Sequence, residues 1–242
     1  TLLPKRIALP VFASDALSSV GYAPDEVLIT LAVAGVAATS LSPWVALAVV
    51  GVLAVVVASY RQTVHAYPSG GGDYEVVSAN LGSHAGLLVA SALLSDYVLT
   101  VAVSVSSGTS YLAAALPALV PYKVEIAVAV VTVLAVLNMR GSRESGRAFA
   151  IPTYLYMGVI GIMAVVGLVQ ELTGTLGRAE SAGFDVVTHA GWEQGLTGLA
   201  GGFLVLRAFS SGCAALTGVE AISNGVPSFQ RPKSRNAATT LL

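Results

Sequence analysis

Residues 10–36 read PVFASDALSSVGYAPDEVLITLAVAGV, a stretch apolar enough for a bilayer that nonetheless carries Asp15, Gly21, Pro24 and the adjacent acids Asp25 and Glu26. Gly21 and Pro24 are poor helix-interior residues. Proline followed by two acids suits the first turn of a new helix, because its φ is already helical and carboxylates meet the positive end of the dipole. The pattern predicts a first span that stops near Ser18 and restarts near Pro24. Unpaired backbone at membrane depth is tolerated only against protein or a water-filled cavity, so such a break is expected to line a site. A proline kink in a packing helix is the alternative.

The rest of the chain supports a bilayer as solvent. Of 242 residues, 55% are hydrophobic and 10% charged, against about 25% charged in soluble domains. A net charge of −1 leaves no basic surface for nucleic acid. The single cysteine, Cys213, lies in an apolar segment, so no disulfide framework or CxxC motif exists and a packing role is expected. Thr1 and the closing run RNAATTLL (235–242) read as cut ends of a longer protein.

Windows able to cross about 30 Å of hydrocarbon fall near 7–40, 43–66, 85–115, 123–139, 149–173 and 199–224. Residues 177–198 are polar, with Phe184 and Trp192 suited to an interface. Lys5, Arg6, Arg61, Arg140, Arg143, Arg147, Arg231, Lys233 and Arg235 fall on one side of this topology, while Lys123 and Arg178 fall on the other. The asymmetry places both ends in the cytoplasm, which six crossings satisfy.

The last window, RAFSSGCAALTGVEAISNGV (207–226), has a polar, glycine-rich middle at Ser210, Ser211, Gly212, Thr217, Gly218 and Glu220. Two interrupted helices five spans apart point to a transporter built from inverted repeats, with substrate held where both helices unwind. The expected organisation is a first repeat over residues 1–176 containing five helices, an extracellular loop over 177–198, and a sixth helix with its following cytoplasmic loop over 199–242.

Asp96 is the one charge between Ala85 and Leu116, and an ionised carboxylate there costs about 2.5 to 3.5 kcal/mol unless it faces a partner or serves a function. Thr100 and Ser104 follow at four-residue steps on the same helix face. Each hydroxyl could instead bond its own helix backbone. Asp15, Asp96 and Glu220 make three acids against one candidate counter-charge, Arg207, which snorkelling to the headgroups also explains. An anionic centre suits a cation, whose water shell can be replaced by carboxylates, hydroxyls and freed carbonyls. Clustered carboxylates also shift one another's proton affinity, a device for proton coupling. Glu220 serves either as a ligand or in an ion pair.

LPVFASDALSSVGYAPDE (9–26), YPSGGGDYEV (67–76), LSDYVLTVAVSVSSG (94–108), LNMRGSRESG (137–146) and LTGVEAISNGVPSF (216–229) together resemble the amino acid, polyamine and organocation permease superfamily. Within it they are most similar to bacterial high-affinity potassium importers of the KUP type. The resemblance implies an all-α, LeuT-like inverted-repeat membrane fold, of which this chain holds the first six helices with the first and sixth broken. It implies proton-coupled potassium uptake, homodimers in the cytoplasmic membrane and regulation by cyclic di-AMP. On matching positions it makes Asp15, Tyr22, Asp96, Tyr97, Thr100 and Thr217 the candidates around the potassium and proton pathway, supported by Ser18, Ser104 and Glu220. Potassium itself is assigned to Asp15, Tyr22, Asp96, Thr100 and Thr217. No cofactor and no enzymatic step is implied.

An amino acid permease on the same scaffold is the nearest rival. There a glycine-rich turn in the first helix presents N–H groups to a carboxylate; here SSVGY offers one glycine, and Asp15 and Asp96 oppose an anion. An intramembrane aspartyl protease would need a Gly-x-Gly-Asp segment, which neither FASDAL nor LLSDYV supplies. PSGGGDYE lacks the lysine and preceding strand of a phosphate loop and reads as a tight cytoplasmic return. A non-transporting sensor on the same fold remains open. His65, His84 and His189 have no metal-ligand spacing and suit the interfaces.

Overall fold

An apolar run has no water to bond its backbone, so it satisfies its N–H and C=O groups internally as helix. The computed structural model describes residues 2–139, 142–178, 183, 189, 196 and 198–241, without the side chains of 142–145, 147 and 148. Arg140, the side chains of Arg143 and Arg147, and the interfacial Phe184 and Trp192 therefore lie outside the described residues. The helices are α1 (Lys5–Phe12), α2 (Ser14–Ala32), α3 (Val36–Thr39), α4 (Ser42–Ala66), α5 (Gly72–Leu81), α6 (Ser83–Ala115), α7 (Lys123–Met139), α8 (Ser142–Thr173), α9 (Gly198–Gly212), α10 (Glu220–Asn224) and α11 (Lys233–Thr240). Tight 3₁₀ turns occupy Pro117–Tyr122, Cys213–Leu216 and Val226–Ser228.

Among the described residues, five segments are long and apolar enough to cross a membrane: Val36–Ala66, Ser83–Ala115, Pro117–Met139, Phe149–Thr173 and Gly198–Asn224. The chain is thus a multi-pass membrane protein. The first expected span is not among them, because α2 carries Asp15, Asp25 and Glu26. Its place in the bundle makes up for this: α2 packs against α9, the turn after it, α6, α4 and α3, burying Ser19, Tyr22, Ala23, Val27 and Leu31. By contrast α7, apolar all round, buries no residue, as a lipid-facing helix would.

The break in the first span lies elsewhere than the glycine and proline suggest. α2 runs without interruption through Ser18, Gly21 and Pro24, and the bend falls at Ala13, between α1 and α2. Two physical reasons emerge. Pro10 has no N–H to give the Arg6 carbonyl, and the Tyr154 hydroxyl from α8 takes that carbonyl at 2.9 Å. Gly21 serves close packing: a Cβ there would stand 2.5 Å from the Tyr156 hydroxyl. Replacing Tyr154 by Phe should leave the Arg6 carbonyl unpaired and cost about 1 kcal/mol of stability, read as a lower unfolding midpoint without loss of helix content.

One buried cluster joins both halves of the chain at the α1 end: Leu3, Ala8, Val64, Val219, Ile222, Val226, Phe229, Ala237 and Ala238. Phe12 stacks on Phe229 at 5.4 Å. Leu3 pairs with the chain after α10, its N–H to the Ser228 carbonyl at 2.7 Å and its carbonyl to the Gln230 N–H at 3.0 Å. α11, polar in composition, buries Ala237, Ala238 and Thr240 beside α4. A second cluster (Val27, Leu31, Ala34, Ala38, Val45, Leu204, Ala208) ties α2, α4 and α9 together at the other end.

Candidate functional site

The site begins where α9 stops. Gly212, wedged against Val27 and Val49, closes the helix. The chain then tightens through Cys213–Leu216, and Thr217 turns extended at φ −63°, ψ 138°. Gly218 follows at φ +89°, a conformation L side chains avoid. A Cβ on Gly218 would lie 2.6 Å from the Ala16 nitrogen and 2.7 Å from Asp15 Cβ. Glycine thus lets the unwound segment lie directly on the first turn of α2, beside a carboxylate.

A cavity of about 500 Å³ opens against this segment. It brings together four of the candidates, Tyr22 from α2, Asp96 and Thr100 from α6, and Thr217 from the unwound stretch. Tyr22 and Thr100 are buried. Glu26, Ser210, Ser211 and Cys213 also line it. Of these, Glu26 was legible only as an acid at a helix start, and Cys213, expected to be packing, is half-buried at the cavity wall.

The remaining candidates stand around this cavity. Asp96 lies close enough to Asp15 for their charges to interact, and both act in the same way on Glu220. Asp15 Oδ1 and Glu220 Oε1 are buried without a hydrogen-bond partner. A buried carboxylate oxygen with no donor calls for a proton or a cation. Arg207, the candidate counter-charge, is exposed on α9. Among the described residues no three His, Cys, Asp or Glu side chains form a metal-chelating group.

Tyr97 sits off the cavity wall, where its hydroxyl accepts a hydrogen bond from Asn224 Nδ2 at 2.8 Å. Asn224 also meets the glycine-rich loop, since a Cβ on Gly72 would collide with Asn224 Oδ1. That loop is more than a tight return: it is where α5 is pressed against α10. The Tyr60 hydroxyl donates to Asp73 Oδ2 at 2.8 Å beside it. Neither Asn224 nor Tyr60 carried a sequence signal. Ser18 and Ser104 meet at 3.3 Å across α2 and α6, and line a separate cavity. The Ser18 hydroxyl also donates to the Asp15 carbonyl at 2.8 Å.

A bundle with a polar cavity at the unwound part of a spanning helix is the architecture of a secondary transporter. Residues 11–241 match the family described as "Amino acid permease", and the chain belongs to that family, with its LeuT-like all-α membrane fold. It is similar to the potassium transporter KimA of Bacillus subtilis (strain 168), at 45% identity over 239 residues, 99% of this chain and 38% of that protein. It is also 32% identical over 137 residues, 57% of this chain, to a protein named "Probable potassium transport system protein Kup 1" from Bradyrhizobium sp. (strain ORS 278), covering 20% of it. The chain therefore spans well under half the length of these relatives.

Proposed function

We propose that this chain belongs to a proton-coupled potassium importer working by alternating access. The observation that carries the proposal is the cavity at the unwound segment, where the Asp96 carboxylate and the hydroxyls of Tyr22, Thr100 and Thr217 converge. Glu26 adds a second carboxylate to the wall, and a potassium ion fits this mixture of carboxylates and neutral oxygens. Asp15 and Glu220, with their unpartnered buried oxygens, supply proton acceptors next to it. The names of the two relatives agree with this substrate. In this proposal the protein is a homodimer of the bacterial cytoplasmic membrane with its N-terminus inside, controlled by cyclic di-AMP. Residues 1–176, 177–198 and 199–242 are its first repeat, outer loop and opening of the second repeat.

Transport of an amino acid is the second reading, favoured by the family description. Against it, α2 offers no unwound glycine turn at Ser18–Tyr22 to present N–H groups to a carboxylate. The full-length protein should rescue growth of a potassium-uptake-deficient bacterium at low potassium. Absence of rescue despite good membrane expression, together with accumulation of a labelled amino acid, would shift the assignment to the second reading.

A further inference from the structure

Two of the cavities beside α2 differ in charge. The cavity holding Asp96 has a second carboxylate, Glu26, in its wall. The other, about 430 Å³, lies between α2, α6 and α8, and among the described residues no carboxylate lines it. Ser14, Ser18, Ser104, Ser107, Tyr111 and Tyr156 give it hydroxyls. Tyr22, 6% exposed, lines both cavities and stands between them.

The chemistry of the two walls divides the cargo. A cation leaving water needs its shell replaced and its charge balanced, which the carboxylate-bearing cavity can do. Neutral hydroxyls offer little charge to a desolvated ion. Each is both donor and acceptor, so a row of hydroxyls and waters can hand a proton along and end as it began.

We propose that the hydroxyl-lined cavity is the proton's route to Asp15, separate from the cation's route past Asp96. The proposal deepens the proton-coupled reading above and rests on it. At one end of the row the Tyr111 hydroxyl donates to Asp25 Oδ2 at 2.5 Å. In the middle Ser18 and Ser104 face each other at 3.3 Å. At the other end the Ser18 hydroxyl donates to the main-chain carbonyl of Asp15, so a water has to complete the row to the carboxylate, whose Oδ1 is buried with no donor. The ionisable groups around the route are Asp25, Glu26 and Tyr156 about Tyr111, and Asp96 and Glu220 about Asp15. A hydronium beside Asp25 gives up a proton and becomes water, each hydroxyl or water in the row accepts one proton and releases its own, and the last proton forms an O–H bond with the Asp15 carboxylate, leaving the row as it began.

Gly108 provides a plug. It lines this cavity, and a Cβ there meets nothing within 4 Å, so the side chain of Gly108→Leu starts from open space. The full-length protein and its variants are placed in liposomes of phosphatidylethanolamine and phosphatidylglycerol containing a pH-sensitive dye. Rubidium–potassium exchange and potassium-driven acidification are measured side by side. In Gly108→Leu, acidification should fall at least about tenfold while exchange stays within about twofold. Ser107→Ala, which adds no volume, should slow acidification about threefold and serves if the plug misfolds. Unchanged acidification in a folded Gly108→Leu, or in Ser107→Ala where the plug misfolds, overturns the separate route while leaving coupling intact. A parallel fall in exchange would assign the cavity to the cation and overturn it too. Wild-type rubidium transport without acidification removes proton coupling itself, and the route with it.

Discussion

Gly218→Ala should abolish uptake and lower the unfolding midpoint of the purified protein. Two costs add at this position. The residue sits at φ +89°, where a side chain costs about 1–2 kcal/mol. The new Cβ would also press on backbone and near-backbone atoms of Asp15 and Ala16 at 2.6 to 2.7 Å, and overpacking of this kind costs about 1–3 kcal/mol. Relief requires the unwound segment to lift off α2, which carries Thr217 away from Asp96 and Thr100. Uptake is therefore lost even where the protein still reaches the membrane. Normal rubidium influx in Gly218→Ala would show that the close approach of these two segments is dispensable.

Asp15→Asn should separate stability from function. Asp15 Oδ1 is buried without a donor, and the charge of Asp96 acts on this residue. An amide of the same shape removes the charge that burial penalises, so the unfolding midpoint should rise by the equivalent of about 1 kcal/mol. The same change removes the proton acceptor, and rubidium influx driven by a pH gradient should fall by about two orders of magnitude. A stabilised, inactive protein is the signature of a group kept at a cost to the fold because function needs it. A destabilised one would instead mean that Asp15 is a structural hydrogen-bonding residue.

The long apolar helices were legible because length and composition dictate them: α4, α6, α7 and the apolar part of α8 lie close to their expected windows. The unwound middle of the last span was legible too, since Ser, Gly and Thr cluster there against an apolar background. The first span shows where a sequence signal has two meanings. Gly21 and Pro24 read as a break, yet the glycine lets Tyr156 of α8 approach, and proline is accommodated inside α2. The bend at Ala13 follows Pro10, whose freed carbonyl is satisfied by a residue 148 positions away. Such partners lie beyond local pattern. In the site, residue type marked Asp96, Thr100 and Thr217, because a charge or hydroxyl in an apolar helix demands an explanation. Asn224 gave no signal because it ends α10, where polar residues are ordinary, and Tyr60 because a tyrosine inside an apolar helix such as α4 is ordinary too; the packing of α5 on α10 and on α4 makes them matter.

Rubidium influx into cells expressing the full-length protein, compared at two external pH values for wild type and Asp96→Asn, tests the central claim most directly. Wild-type influx that rises as external pH falls, with Asp96→Asn present in the membrane but inactive, is the predicted result. Equal, pH-independent influx in both would contradict the claim that Asp96 holds the ion and that protons drive it.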